Sequence, residues 1–216
     1  MRFLVTAGPT REPIDPVRYL SNRSSGKMGY AIARAAAGQG FDVVLVSGPV
    51  SVPAPPEVEL VKVEGAEEMY DAVEDRVDGC DVAVMAAAVA DYTPAEVAGE
   101  KIKKSGETMA LELVKTRDIL GAMRGEFGFK GLLVGFAAET ENLRDNALGK
   151  LQRKGCDLLV ANDVSRRDIG FDGDDNEVVI FSADGTERQV GKRTKTQVAE
   201  AILEEVLAAL ATTQDS

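Results

Sequence analysis

Apolar residues in this 216-residue chain fall in short runs, separated by stretches whose apolar side chains recur at helical spacing. Phe3–Thr6 is the first run, and it stops at the turn residues Ala7-Gly8-Pro9-Thr10. Lys27–Gln39 carries alanine and isoleucine at three- and four-residue intervals and ends at Gly40, the pattern of a helix with a glycine stop. Val43–Val46 and Glu59–Val63 predict strands, with the proline-rich connection Val52–Pro56 between them, and Ala66–Val77 predicts a helix. Val82–Ala88 is an unbroken apolar run, as expected of a strand covered on both faces.

From Asp91 to Lys115 the pattern loosens, with a short strand at Leu111–Val114. Asp118–Glu126 predicts a helix, Leu132–Phe136 a strand, Leu143–Lys154 a helix and Leu158–Ala161 a strand. Val178–Phe181 and Glu187–Val190, joined through Ala183-Asp184-Gly185, predict a β-hairpin. Thr194–Leu210 closes the chain as an amphipathic helix, and the last six residues are expected to fray. Such alternation predicts an α/β fold: a parallel sheet with helices on both faces and a small hairpin extension, in one domain over residues 1–216. Ligands in such sheets bind at the carboxyl ends of the strands, and every candidate motif falls at one of those ends.

Composition narrows the chemistry. Lys and Arg number 25 against 36 Asp and Glu, a net charge of −11. So acidic a surface argues against nucleic acid or an anionic membrane as partner, but leaves room for a locally basic pocket. No run approaches the roughly 20 apolar residues of a membrane span, and the reading is cytoplasmic. Cys80 and Cys156 each precede an aspartate and an apolar run, so both read as buried thiols at helix-to-strand junctions. There is no histidine, which excludes Ser-His-Asp and Cys-His catalysis and His-ligated zinc. Chemistry must run on lysine, carboxylate, amide, backbone N–H groups or an oxygen-bound metal.

After the first strand, Gly8 turns the chain into a long excursion, and Ser21–Gly29 (Ser-Asn-Arg-Ser-Ser-Gly-Lys-Met-Gly) opens the helix. Small residues at a helix start let backbone N–H groups face a phosphate, and Ser24 or Ser25 can cap the helix or bind the anion. This is neither a dinucleotide fingerprint, since Gly8 and Gly26 are too far apart, nor a Walker A loop, since Met28 follows Gly26-Lys27. An ordinary capped helix with a long loop fits the same residues. Ala86-Ala87-Ala88 would let a flat ligand lie against backbone. Asp91 can hold a sugar hydroxyl, a base or magnesium, or merely cap a turn. Lys101, Lys103 and Lys104 form a basic loop able to close over a polyphosphate, or a solvated turn. Thr116–Leu120 begins a helix. Phe136 can pack on a base or in the core. Lys150 and Lys154 share one helix face and can reach a triphosphate or face water.

Taken in order, these segments closely resemble the phosphopantothenoylcysteine synthetases. The resemblance rests on Thr6–Asp15 (Thr-Ala-Gly-Pro-Thr-Arg-Glu-Pro-Ile-Asp), Ser21–Gly29, Ala88–Tyr92, Lys101–Lys104, Gly135–Thr140 and Ala161–Val164, across roughly residues 3–185. It implies a Rossmann-like fold, a homodimer and an acyl-nucleotide mechanism, with CTP and Mg²⁺ in the bacterial branch. It places Asp91, Lys101, Arg117, Asp118, Ile119, Leu120, Phe136, Lys150 and Lys154 on nucleotide-binding positions, with Ala86 and Ala87 at the strand end that meets the nucleotide. Asn22 falls on the asparagine tied to the second half-reaction, which with Lys101 makes the catalytic pair. Metal ligands are not specified. Relatives commonly carry proline where Arg117 stands. They are often fused behind a phosphopantothenoylcysteine decarboxylase, so the chain reads as a standalone enzyme or an excised half.

Two other readings compete. An NAD(P)-dependent reductase would need a glycine fingerprint, and its common Tyr-x-x-x-Lys pair follows none of Tyr19, Tyr30, Tyr70 or Tyr92. A non-catalytic nucleotide-binding dimer module would have no use for Asn22, Asp91 and Lys101 together. For dimerisation, the hairpin near Val178–Val190 is the expected element.

Overall fold

The computed structural model describes residues 1–104, 106–163 and 173–214. Strands β1 (Arg2–Ala7), β4 (Asp42–Ser47), β5 (Glu59–Lys62), β6 (Val82–Met85), β9 (Leu132–Glu139) and β10 (Leu158–Asp163) pair in parallel. β11 (Asp175–Ser182) and β12 (Glu187–Thr194) continue the same sheet antiparallel, in the order β12-β11-β10-β9-β6-β1-β4-β5. The predicted hairpin is thus the edge of the main sheet rather than an appendage to it. Its buried side chains Val178, Ile180 and Phe181 explain why, because they need the sheet and its helices as neighbours.

Alternation along the strands sorts residues to two cores. Phe3 and Val5 of β1 pack with α1 (Lys27–Gly38) and α5 (Lys195–Gln214), while Leu4 packs with α2 (Ala66–Val77), α3 (Ile119–Gly125) and α4 (Leu143–Lys154). Helices therefore cover both faces. α5 runs four residues past the predicted Leu210, and residues 215–216 lie outside the described ones. Cys80 and Cys156 are free and buried at the ends of α2 and α4, and burial pushes the Cys156 thiol up to about 11. Among the described residues no helix is long and apolar enough to cross a membrane.

Sequence patterning missed two small antiparallel pairs. One joins β2 (Arg11–Asp15) to β3 (Arg18–Ser21), within the stretch read as an excursion. The other joins β7 (Tyr92–Pro94) to β8 (Leu113–Lys115), the latter two residues beyond the predicted start of its strand. The run Val82–Ala88 leaves the ladder at Met85, where the chain turns into the site.

The order of connections fixes where a ligand can sit. From β1 the chain moves outward through β4 and β5, then returns to β6 on the other side of β1 and moves outward again through β9 and β10. The order reverses between β1 and β6, and that reversal opens a crevice at their carboxyl ends.

Candidate functional site

A groove of about 820 Å³ lies at that crevice. This is near the upper end of the ~300–1,000 Å³ usual for small-molecule sites, enough for a nucleotide beside a second small substrate. Its floor is a seam between the loops that leave β1 and β6. Ala88 N–H donates to Gly8 O at 2.9 Å and Ala90 N–H to Thr10 Oγ1 at 3.0 Å. Ala87 N–H reaches Thr6 Oγ1 at 3.2 Å. With Ala86 and Ala87 lining the groove, the strand end presents backbone rather than side chain, as the alanine run predicts.

Helix α1 supplies one wall. Its cap is Gly26, with φ 73° and no side-chain capping bond. The expected serine cap is absent; Ser24 Oγ instead accepts from the Gly26 N–H at 3.3 Å. A β-carbon on Gly26 would stand 3.3 Å from Gly8 Cα, and one on Gly29 would stand 2.6 Å from the Ala7 β-carbon. Glycine thus lets the first turn of α1 press against β1. The first turn carries no acidic residue, so the positive end of the helix dipole meets the groove with no carboxylate of its own to offset it. Gly8 itself does not line the groove; it shapes the turn beneath Gly26.

Asn22, just past β3, bridges to the opposite loop. Its amide nitrogen donates to Val89 O at 2.9 Å and to Ala88 O at 3.3 Å. Two carbonyl acceptors fix the orientation of the amide, and Asn22 Oδ1 has no donor among the described residues. The carboxylate of Asp91 likewise has no partner among them and is exposed.

The opposite wall is the start of α3 with β9 and α4. Thr116 is held by its N–H to Asp91 O at 3.1 Å and by its hydroxyl to Ala90 O at 2.6 Å. Asp118 caps α3 by accepting from Gly121 N–H at 2.9 Å and pairs with Lys154. Burial alone would raise the Asp118 pKa, but the Lys154 ammonium and the Gly121 N–H outweigh it and hold it below the ordinary carboxylate value. Lys150 donates to Phe136 O at 2.8 Å, and burial lowers its pKa. Ile119, Leu120 and a half-buried Phe136 give this wall an apolar face. The side chain of Arg117 goes elsewhere: it is bound to Glu67 and Asp71 on α2.

The groove thus gathers all the residues expected of it except Gly8 and Lys101. Lys101 is exposed, on a loop fastened to the β2–β3 pair: Ile102 N–H donates to Asp15 Oδ2 at 3.1 Å, and Arg18 Nη2 donates to Ile102 O at 2.9 Å. Hydrogen bonds from Arg18 hold the buried Asp15 carboxyl far below its usual pKa. Val164 and Ser165 lie outside the described residues, as does Ser105. Reading by segment overlooked Asn176 and Lys195, which line the α1 side of the groove and are buried. Both lie at the same sheet edge as the recognised motifs, which is the signal that could have found them.

The family described as the DNA/pantothenate metabolism flavoprotein C-terminal domain matches residues 1–210. The chain belongs to this family. It is 50% identical over 188 residues to the coenzyme A biosynthesis bifunctional protein CoaBC of Escherichia coli K12, covering 86% of this chain and 46% of that protein. It is 47% identical over 206 residues to the CoaBC protein of Bacillus subtilis 168, covering 95% and 50%. The chain therefore spans about half the length of the curated relatives it matches. The solved C-terminal domain of a CoaBC protein superposes with a TM-score of 0.83 at 42% identity, covering 98% of this chain and 96% of that one. In this member of the C-terminal-domain family, the groove at the β1/β6 reversal is the candidate active site.

Proposed function

We propose that the chain is a phosphopantothenate–cysteine ligase of coenzyme A biosynthesis, joining 4′-phosphopantothenate to L-cysteine through an acyl-cytidylate. One observation carries this reading. A single groove brings the glycine-capped α1 N-terminus, Asn22 and Asp91 to one end of the sheet with Phe136, Lys150 and Lys154. Such a site suits a nucleoside triphosphate, and CTP is the nucleotide we assign. The apolar wall at Ile119, Leu120 and Phe136 takes the base, and the α1 N–H groups take phosphate.

Neither half-reaction needs an enzyme nucleophile. In the first, a phosphopantothenate carboxylate oxygen attacks the α-phosphorus of CTP, and the bond to the bridging oxygen breaks to release pyrophosphate. Catalysis of such a step is mainly positioning and charge neutralisation, supplied by N–H groups and lysines. Among the described residues no group of three or more acidic, histidine or cysteine side chains is built to hold a metal. Mg²⁺ would enter with the triphosphate as the source of positive charge, and Asp91 is the groove carboxylate that would help hold it.

In the second half-reaction the cysteine amine attacks the acyl carbon, the bond to the phosphate oxygen breaks, CMP leaves, and the nitrogen loses a proton. Asn22 offers Oδ1 here, because its N–H groups are already spent on Ala88 and Val89. It orients the amine as a hydrogen-bond acceptor. Lys101 acts if its loop closes over the groove and shields the mixed anhydride from water.

The test is product analysis with CTP, phosphopantothenate and cysteine. Pyrophosphate and CMP should appear in step with the amide. Asn22→Asp swaps the anchoring N–H donors for a carboxylate oxygen set against the Ala88 and Val89 carbonyls, so the acceptor loses its orientation. The variant should still release pyrophosphate and accumulate acyl-cytidylate, with amide formation down by about 10²–10³-fold, the scale of one lost polar contact in a site. No pyrophosphate from the unaltered chain would reject the activity, and normal amide turnover in Asn22→Asp would remove that residue from the mechanism.

A further inference from the structure

Arg117 sits in the middle of the loop that walls the base side of the groove, yet its side chain leaves the groove. Arg117 Nε donates to Glu67 Oε2 at 2.9 Å, and Nη2 donates to Glu67 Oε1 and Asp71 Oδ1, both at 2.5 Å. The guanidinium carbon also lies 3.4 Å from the centre of the Tyr70 ring. Glu67, Tyr70 and Asp71 are spaced i, i+3, i+4, so α2 presents all three on one face. Tyr70 is itself fixed, buried and donating its hydroxyl to Glu126 at 2.6 Å. A bidentate carboxylate, a second carboxylate and an aromatic face are what a planar guanidinium can satisfy together and a lysine cannot.

We infer that Arg117 is a positioning residue, which ties the base-side wall of the groove to α2 and does not itself contact the nucleotide. Its charge is matched by two carboxylates, so it has no surplus to give a phosphate. On its two sides the loop is already pinned, by Thr116 to Ala90 and Asp91 and by Asp118 to Gly121 and Lys154. Arg117 adds the third pin, from outside. Proline at this position would fix φ through its own ring and need no external partner. The arginine tether and the proline ring are two ways to hold the same stretch of backbone.

The inference rests on the nucleotide reading of the groove. Its test therefore pairs a nucleotide readout with one that needs no ligand. CTP affinity and steady-state kinetics would be measured for the full chain, Arg117→Ala, Arg117→Pro, the pair Glu67→Gln with Asp71→Asn, and all three changes combined. Amide hydrogen exchange over residues 119–122 would be followed without ligand.

Arg117→Ala should raise the KM for CTP about fivefold, the scale of a multi-point surface pair, with kcat nearly unchanged and exchange accelerated. Arg117→Pro should recover most of the KM. The carboxylate pair should raise KM by a similar factor, and combining it with Arg117→Ala should add nothing further. If freeing the guanidinium in the carboxylate pair tightened CTP binding, or if Arg117→Pro were as weak as Arg117→Ala, the arginine would be a nucleotide ligand and the inference overturned. Unchanged exchange in Arg117→Ala would overturn it too. Failure of the unaltered chain to bind CTP, with exchange still accelerated in Arg117→Ala, would reject the ligase reading and leave the tether standing.

Discussion

Lys150 shows how burial tunes a single side chain of this site. Its ammonium donates to the Phe136 carbonyl, a neutral partner, while the protein around it excludes water and lowers its pKa. A depressed lysine pKa means the positive form is lost earlier as the pH rises. Nucleotide affinity should therefore weaken on the alkaline side below the ~10.4 of an ordinary lysine, and Lys150→Met should abolish that limb of a pH–affinity profile while raising the KM for CTP about tenfold, as expected for a charge-assisted contact. An unchanged alkaline limb in the variant would assign the titration to another group. The sequence announced Lys150 and Lys154 by spacing alone. It could not announce that one would bond a carbonyl and the other a carboxylate, because those partners come from β9 and α3, 14 and 36 residues away.

At the scale of elements, legibility followed burial. Strands covered on both faces are nearly all apolar, and β1, β4, β6, β9 and β10 could be placed by eye for that reason. β2, β3 and β7 could not, and β8 was met only by the short strand expected at Leu111–Val114, since exposed residues outnumber or equal the buried ones in three of these four strands. β2 nevertheless carries a buried acid with a structural task. Glu12 Oε1 accepts from the Ala66 N–H at 2.9 Å, capping α2 from 54 residues away, where the local cap is Gly65 with no side chain to offer. Removing such a cap costs about 1 kcal/mol. Glu12→Ala should thus lower the thermal midpoint by about 2–4 °C at this chain length, read by calorimetry, while Glu12→Gln keeps an acceptor oxygen and should lose less. Equal losses would show that Glu12 acts through charge rather than through the hydrogen bond.

The whole molecule puts its unspent apolar surface on these same small pairs and the loop between them. Val17, Tyr19, Val97, Leu113 and Val114 are all exposed, and β2 packs beside β7. The far edge strand β12 is different. It is mostly exposed and carries Glu187, Arg188, Lys192 and Arg193, the charged edge that discourages pairing. We propose the β2–β3 and β7–β8 face as the surface for a second copy of the chain, with the Val178–Val190 hairpin expected from sequence as the alternative that the next experiment separates. Val17→Glu with Val114→Glu should convert a two-chain species to one chain in light scattering. A dimer unmoved by both changes would put the interface elsewhere.

The seam beneath the groove has a mechanical consequence. Because the loops leaving β1 and β6 are laced together by backbone and threonine bonds at Gly8, Thr10, Ala87, Ala88 and Ala90, they can travel only as one slab. Fit to successive occupants must then come from the lips of the cleft: the Lys101–Lys104 strand of chain leashed to Asp15, and the Thr116–Asp118 turn. On the ligase reading proposed above, a bed that does not yield would keep the reacting phosphorus and carbonyl in register from one half-reaction to the next, while the lips exchange pyrophosphate for cysteine.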